Sequence, residues 1–342
     1  MPSSTITTST STSTTATTGT TGTAATTAGT TTPTAEAAGT WRLGDLTVRR
    51  IGLGAMRLTG SGVFHEGTPS DRERSLRVLR RAVDLGVDHI DTAAFYFSSL
   101  RSANELINRA LAPYPDGLVI ATKVGPSRDA SGAWMPPAGP RELRGQVEEN
   151  LRQLGRDHLD LVSLRVQTDG PIAEHFGALA DLRAAGLIRH LGVSGVTAAQ
   201  LAEAETVAPV ASVQNRFGFE RREHTELLRE CGRRGIAFVP YFAIAGVGGH
   251  AGPKNIGDDR LRRVAKAHGA SPAQILLAWT LHQGPHVLAI PGTGDPAHLE
   301  ANLAAGALRL TPKQTALLDA AQDAPAAPPK RRPARRHTII LL

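Results

Sequence analysis

Beyond residue 40 the hydrophobic positions follow two spacings in alternation. Apolar residues recur every three to four positions near 71–85, 102–112, 140–154, 174–185, 197–208, 223–234, 258–282 and 311–322, which predicts amphipathic helices, the seventh broken at Gly269. Between them lie short aliphatic runs at 88–93, 118–123, 159–164, 189–194, 211–215, 236–241 and 287–292. These read as strands buried on both faces. The segment 41-WRLGDLTVRRIGLGAM-56 predicts a hairpin turning at Gly44-Asp45 and leading into a further buried strand at 51–54. Strands that alternate with helices form a parallel sheet. About eight of them, each ending in a polar or glycine-containing segment, predict an α/β fold of the closed (β/α)8 TIM-barrel type.

Composition sets the limits of that domain. The chain has 342 residues, 41% apolar and 20% charged, enough for one large core. Residues 1–40 form a Thr/Ser/Ala-rich tract, expected to be a disordered head, and 324–342 a basic tail expected to be disordered too, leaving 41–323 for the barrel. The formal charge of +7 is mainly a property of the tail, where 330-KRRPARRH-337 carries five Lys and Arg. The remainder is near +3, an ordinary value for a soluble enzyme. No specific nucleic-acid partner is therefore expected. The sequence has no secretory leader pattern and no apolar run of membrane length, so a cytoplasmic protein without a membrane partner is expected, either a monomer or a small homo-oligomer. Cys231 is the single cysteine and has no disulfide or zinc partner. The twelve histidines lack paired spacing, and no metal is expected.

In such a barrel the C-terminal strand ends converge on one mouth, which gathers Asp91, Lys123, Arg165, Ser194, Gln214 and Tyr241. Taken singly, each has a structural reading as a cap, an ion-pair member or a backbone-satisfying amide. Glycine-containing turns at 52–54, 246–249 and 292–294 raise a rival dinucleotide fold, but none completes the fingerprint with an acid about twenty residues on.

At these positions the chain resembles the aldo-keto reductase family. The resemblance covers about 41–323 and rests on 90-IDTAAFY-96, 121-ATKVG-125, 192-GVSGV-196, 213-VQNRF-217 and 289-AIPGTG-294, which follow the family's order. It implies reduction of a small carbonyl compound with NADPH, NADH being the alternative. Tyr96 would donate the proton and Lys123, held by Asp91, would favour its phenolate. The chemistry asks for the same residue types, since hydride transfer leaves negative charge on the carbonyl oxygen. Arg165 stands where most members carry a histidine; it can polarise a carbonyl but cannot shuttle a proton. That departure keeps open a nucleotide-binding sensor of weak activity. A narrower similarity to the pyridoxal reductase-like subgroup, at 54-GAMRLTGSGVF-64, 134-WMP-136 and 164-LRV-166, points to pyridoxal or another aromatic aldehyde, with Phe64, Phe97, Trp134 and Phe242 as candidate walls.

The resemblance also implies the cofactor contacts. Gly54, Ala55 and Met56 would lie beneath the nicotinamide, which Tyr241 would stack against. Ser194 and Gln214, together with Asp91, would hold the carboxamide end. Gly195 replaces a usual asparagine, with Asn215 a candidate to supply the lost hydrogen bond. Phe242, Ala243 and Ala245 would follow along the cofactor. Gly292, Thr293, Gly294, His298 and Asn302 would hold the phosphate and adenine end, at a helix N-terminus whose free amides favour anions. Gly292 stands where a lysine is usual.

Overall fold

The computed structural model describes residues 32–60, 69–244 and 258–320. Strands β1 (Thr40–Leu43) and β2 (Leu46–Arg49) form the expected antiparallel hairpin. Seven parallel strands follow in chain order: β3 (Leu53–Gly54), β4 (His89–Asp91), β5 (Val119–Val124), β6 (Leu159–Arg165), β7 (Ile188–Ser194), β8 (Val210–Gln214) and β9 (Ala237–Phe238). The segment 287–292 closes the ring through parallel bridges, Phe238 to Val287 on one side and Ile51 to Ala289 and Gly54 to Gly292 on the other. The eighth strand is thus present in backbone pairing although its ladder is short, and the barrel is a (β/α)8 barrel as expected.

The hairpin stoppers one end. Leu43 and Val48 are buried with Val119, Leu161, Ala237, Val239 and Leu288, an apolar cluster separate from the main core. The main core lies largely between strands and helices. Helix α1 (Arg72–Asp84), capped by the Asp71 side chain, presents Leu76, Leu79 and Ala82 inward at three-residue spacing. Each of those leucines contributes roughly 2 kcal/mol by burial. The other helices are α2 (Ala103–Leu111), α3 (Pro140–Leu154), α4 (Ala173–Ala184), α5 (Ala198–Val207), α6 (Thr225–Arg234), α7 (Asp259–His268), α8 (Pro272–Leu281), α9 (Pro296–Ala304) and α10 (Pro312–Asp319). Gly269 separates α7 from α8, as the sequence predicts. Cys231 is fully buried in α6, and burial pushes its thiol up to about 12.

The folded body begins earlier than the expected boundary at Trp41. Residues Ala35–Ala38 form a 3-10 turn in which Ala35 and Ala38 are buried, the Ala35 amide donates to the Leu85 carbonyl, and Glu36 pairs with Arg49. Small side chains at 35 and 38 permit this close packing, a signal that a search for helical or strand spacing does not register. Among the described residues no helix is long and apolar enough to cross a membrane, and no three His, Cys, Asp or Glu side chains are grouped to hold a metal.

Candidate active site

Strand register does the first assembly. Gly54 pairs with Asp91, Lys123 with Ser163, Arg165 with Ser194, and Ser194 with Gln214, so the residues expected at the mouth stand on one rim. They line a cavity of about 1230 Å³ that also receives Tyr96 from the loop after β4 and Tyr241 from beyond β9.

Lys123 and Asp91 are both buried, and the Lys123 Nζ donates to Asp91 Oδ1 at 2.7 Å and to the Thr92 carbonyl at 2.9 Å. The second Asp91 oxygen accepts from Gln214 Nε2 at 2.7 Å. Desolvating two such charges is costly, and the extra hydrogen bonds on each partner are what offset that cost. The Lys123 Nζ also lies 4.9 Å from the centroid of the Tyr96 ring. Behind this cluster Thr92 donates to Asn104 Oδ1 at 2.7 Å, Asn104 donates to Asn150 Oδ1 at 3.0 Å, and Thr122 donates to the same oxygen at 2.6 Å. All four side chains are buried, so helices α2 and α3 are tied by polar contacts to the backbone that carries Asp91 and Lys123.

Burial raises the Tyr96 phenol above its usual range; Lys123 opposes this, and Asp91 adds to it. Lys123 acts in the direction that favours phenolate, but in the protein alone desolvation outweighs the cation and the net direction is up. For Lys123, burial pulls the ammonium down but Asp91 and Tyr96 push it up, and the net direction is up. At neutral pH the pair therefore stands as protonated phenol beside protonated amine.

Arg165 is half-buried at the end of β6. Its Nη1 donates to Ser194 Oγ at 3.3 Å, and its Cζ lies 5.0 Å from the Tyr241 ring centroid. Asn215 does not supply the contact considered for it. It is wholly buried, with Oδ1 accepting from the Gly195 and Val196 amides and Nδ2 donating to the Val196 carbonyl.

At the other end of the cavity, Gly54 and Gly292 bring two backbones together: a Cβ on Gly54 would lie 2.6 Å from the Ile290 carbonyl oxygen, and one on Gly292 2.9 Å from that of Gly54. A lysine at 292 has no room there. Arg57, which sequence reasoning missed, lies beside Gly292 and lines the cavity with Arg74 and His298. The free helix N-terminus expected for the phosphate is also corrected. Asp295 caps α9 by accepting from the Ala297 and His298 amides, and its carboxylate pairs with Arg74. Thr293 lines the cavity and accepts from the Asp295 amide at 3.0 Å.

Met56, Phe242, Ala243 and Gly294 also line the cavity, whereas Ala55 and Asn302 are buried away from it; Ala245 and Phe64 lie outside the described residues. Phe242 has φ of 59°, a strained conformation for a bulky residue, in the wall itself. Trp134 forms part of the aromatic wall, joined by Phe95, which the sequence reading did not single out. Phe97 is not a wall residue. It stacks on Arg128, with Cζ 4.4 Å from its centroid, while Arg128 donates to the Phe95 and Phe97 carbonyls and ties the two loops together. Gln167, two residues beyond Arg165, lines the mouth as well.

With this geometry in hand, comparison with known proteins is direct. The model for the aldo/keto reductase family matches residues 50–323. Pyridoxine 4-dehydrogenase of Escherichia coli is 40% identical over 290 residues, covering 83% of this chain and 98% of that protein. A thermostable aldo-keto reductase solved with the inhibitor epalrestat superposes with a TM-score of 0.69 at 30% identity, covering 82% of this chain and 98% of the other. An aldo/keto reductase from Klebsiella pneumoniae, solved with NADP and acetate, gives 0.65 at 28% identity, covering 80% and 91%.

Proposed function

Because the chain belongs to the aldo/keto reductase family, we propose that it reduces a small aldehyde or ketone to the alcohol with NADPH, pyridoxal or another aromatic aldehyde being the substrate class. The observation that carries this reading is the buried Lys123, held by Asp91 at 2.7 Å and set 4.9 Å from the ring centroid of Tyr96 in the cavity wall. A phenol kept protonated by burial is a proton donor at neutral pH, and the adjacent ammonium stabilises the phenolate left behind. Gln214 and Thr92 hold the ion pair so that neither partner turns toward the substrate.

The residues present fit a nicotinamide dinucleotide. The join of Gly54 and Gly292 offers backbone without side chains, the Tyr241 ring offers a stacking face, and Arg57, Arg74 and His298 bring cationic and hydrogen-bonding groups to the far end. When bound there, NADPH would supply the hydride for the carbonyl carbon. Ser194 would orient the carboxamide and Arg57 would take a phosphate, the task left open by Gly292. Phe95 and Trp134 line the substrate side and favour a flat ring. The solved relative holding NADP and the relative named for pyridoxine support the cofactor and the ring class.

The test follows NADPH oxidation with pyridoxal and with simple aromatic and aliphatic aldehydes, using Tyr96→Phe as the control. Aldehyde-dependent oxidation is expected, with turnover of Tyr96→Phe lower by roughly three decades and NADPH affinity nearly kept. Tight NADPH binding without turnover of any aldehyde would refute the reductase reading in favour of a sensor.

A further inference from the structure

The guanidinium of Arg165 is the charge that the proposed reaction leaves unexplained. Lys123 is balanced by Asp91 and Arg74 by Asp295, yet among the described residues no carboxylate pairs with Arg165. Its contacts are one hydroxyl, Ser194 Oγ at 3.3 Å, and the face of Tyr241. A half-buried cation in a largely apolar cavity has unused donors and a desolvation cost that an incoming anion would offset.

Its position depends on Gly195. That residue has φ of +71°, and a Cβ there would fall on Arg165 Nη1 and lie 3.0 Å from Cζ. The guanidinium therefore occupies the volume that a side chain at 195 would fill. The two departures from the family pattern, at 165 and 195, are one arrangement in space. The same guanidinium and Tyr96 line one cavity, so a group bound by Arg165 shares that cavity with the carbonyl that Tyr96 would protonate.

We propose that Arg165, admitted by Gly195, is a specificity-determining residue that binds an ionised oxygen carried by the substrate beside its carbonyl, in a carboxylate or an ionised ring hydroxyl. This rests on the carbonyl-reductase reading of the site. The reaction remains hydride to carbonyl carbon and proton from Tyr96 to carbonyl oxygen; the second oxygen stays unchanged and only anchors the molecule.

The experiment compares kcat/KM at neutral pH for three aldehydes of similar ring size: 5-nitrosalicylaldehyde with its ionised ortho oxygen, 2-methoxy-5-nitrobenzaldehyde with that oxygen blocked, and 3-nitrobenzaldehyde with none. Phenylglyoxylate forms a fourth arm and separates carboxylate from ring hydroxyl as the source of the anion. The wild-type protein is expected to prefer an ionised substrate over the blocked and unsubstituted ones by roughly ten- to a hundredfold, the range of a charge-assisted hydrogen bond. Arg165→Met should collapse that ratio. Gly195→Ala, which keeps the arginine but displaces it, should do the same.

Reduction of neutral aldehydes with no preference for either anion in the wild type overturns the inference and leaves the reductase reading standing. An equal loss for all substrates in Arg165→Met, with weaker NADPH binding by fluorescence titration, also overturns it and assigns the guanidinium to the cofactor. Failure of every aldehyde removes the reductase reading, and the inference with it. The wild-type ratio decides the matter even where a variant fails to fold.

Discussion

At the wall formed by β4 and β5 the groups around Lys123 are held from behind by buried hydrogen bonds running through Thr92, Asn104, Asn150 and Thr122. At the seam between β3 and 287–292 two side-chain-free backbones meet instead, and the charge comes from Arg57 and Arg74 on the rim. The first construction fixes the proposed proton donor's surroundings in one place. The second makes a smooth floor and leaves electrostatics to side chains that can exchange partners. The difference separates what the chemistry demands from what ligand choice can tune: buried polar networks are costly when incomplete, while rim charges are screened and adjustable.

Four measurements test this contrast. The largest effect is expected for Lys123→Met, which leaves the Asp91 carboxylate buried without its cation and Tyr96 without its stabiliser. Turnover should fall by roughly three decades or more, read as kcat at saturating aldehyde. A smaller loss would mean that the wall is less essential to the chemistry than its construction implies.

Next comes Asn150→Leu, which removes an acceptor shared by Asn104 and Thr122; Asn104 keeps Gln153 and Thr92 as partners, whereas the buried Thr122 hydroxyl loses its acceptor. Stability should drop by roughly 3 kcal/mol, read from the midpoint of chemical unfolding. At the seam, Arg57→Ala should raise KM for NADPH about tenfold while moving KM for NADH much less, the size of one charge-assisted contact. An equal rise for both cofactors would place Arg57 away from the phosphate that distinguishes them.

The smallest effect concerns pH. Because burial raises the Tyr96 phenol above 10, its protonated form persists from pH 7 to 9, and kcat/KM for reduction should vary by less than about twofold there. The sign for stability is the same: an acid whose folded pKa lies above its unfolded value stabilises the fold below the unfolded pKa and loses that contribution as pH rises. Cys231, at about 12 against an ordinary 9.0, and Tyr114, at about 12 against 10.0, therefore predict destabilisation beginning above pH 9 and growing toward 12. A stability plateau extending through pH 11 would refute it.

The contrast also explains which parts of the molecule could be read in advance. Asp91, Lys123, Arg165, Ser194 and Gln214 were legible because each ends an aliphatic run, and parallel register then aligns strand ends. Tyr96 was legible through its motif. The link between Arg165 and Gly195 was not, since thirty positions of chain separate two residues whose relation is one of excluded volume. Arg57 was hidden for a related reason: the need for it arises from the lack of room at Gly292, which only the approach of Gly54 reveals. The capping of α9 by Asp295 is written locally in the sequence, but whether a cap occupies the amides an anion would use depends on its rotamer. Phe97, beside Tyr96, suggested the cavity by proximity alone; a distant arginine draws it elsewhere.

The pairing of Gly54 with Gly292 carries a consequence for synthesis. The two positions come from the first and last barrel strands, so the groove between them has no floor until the chain has been made nearly to its end and its beginning has waited to be joined. Domains emerge from the ribosome N-terminus first. Competence to take up a nucleotide therefore arrives last in this protein, and a nascent chain stalled before residue 287 lacks one side of the groove that would receive it.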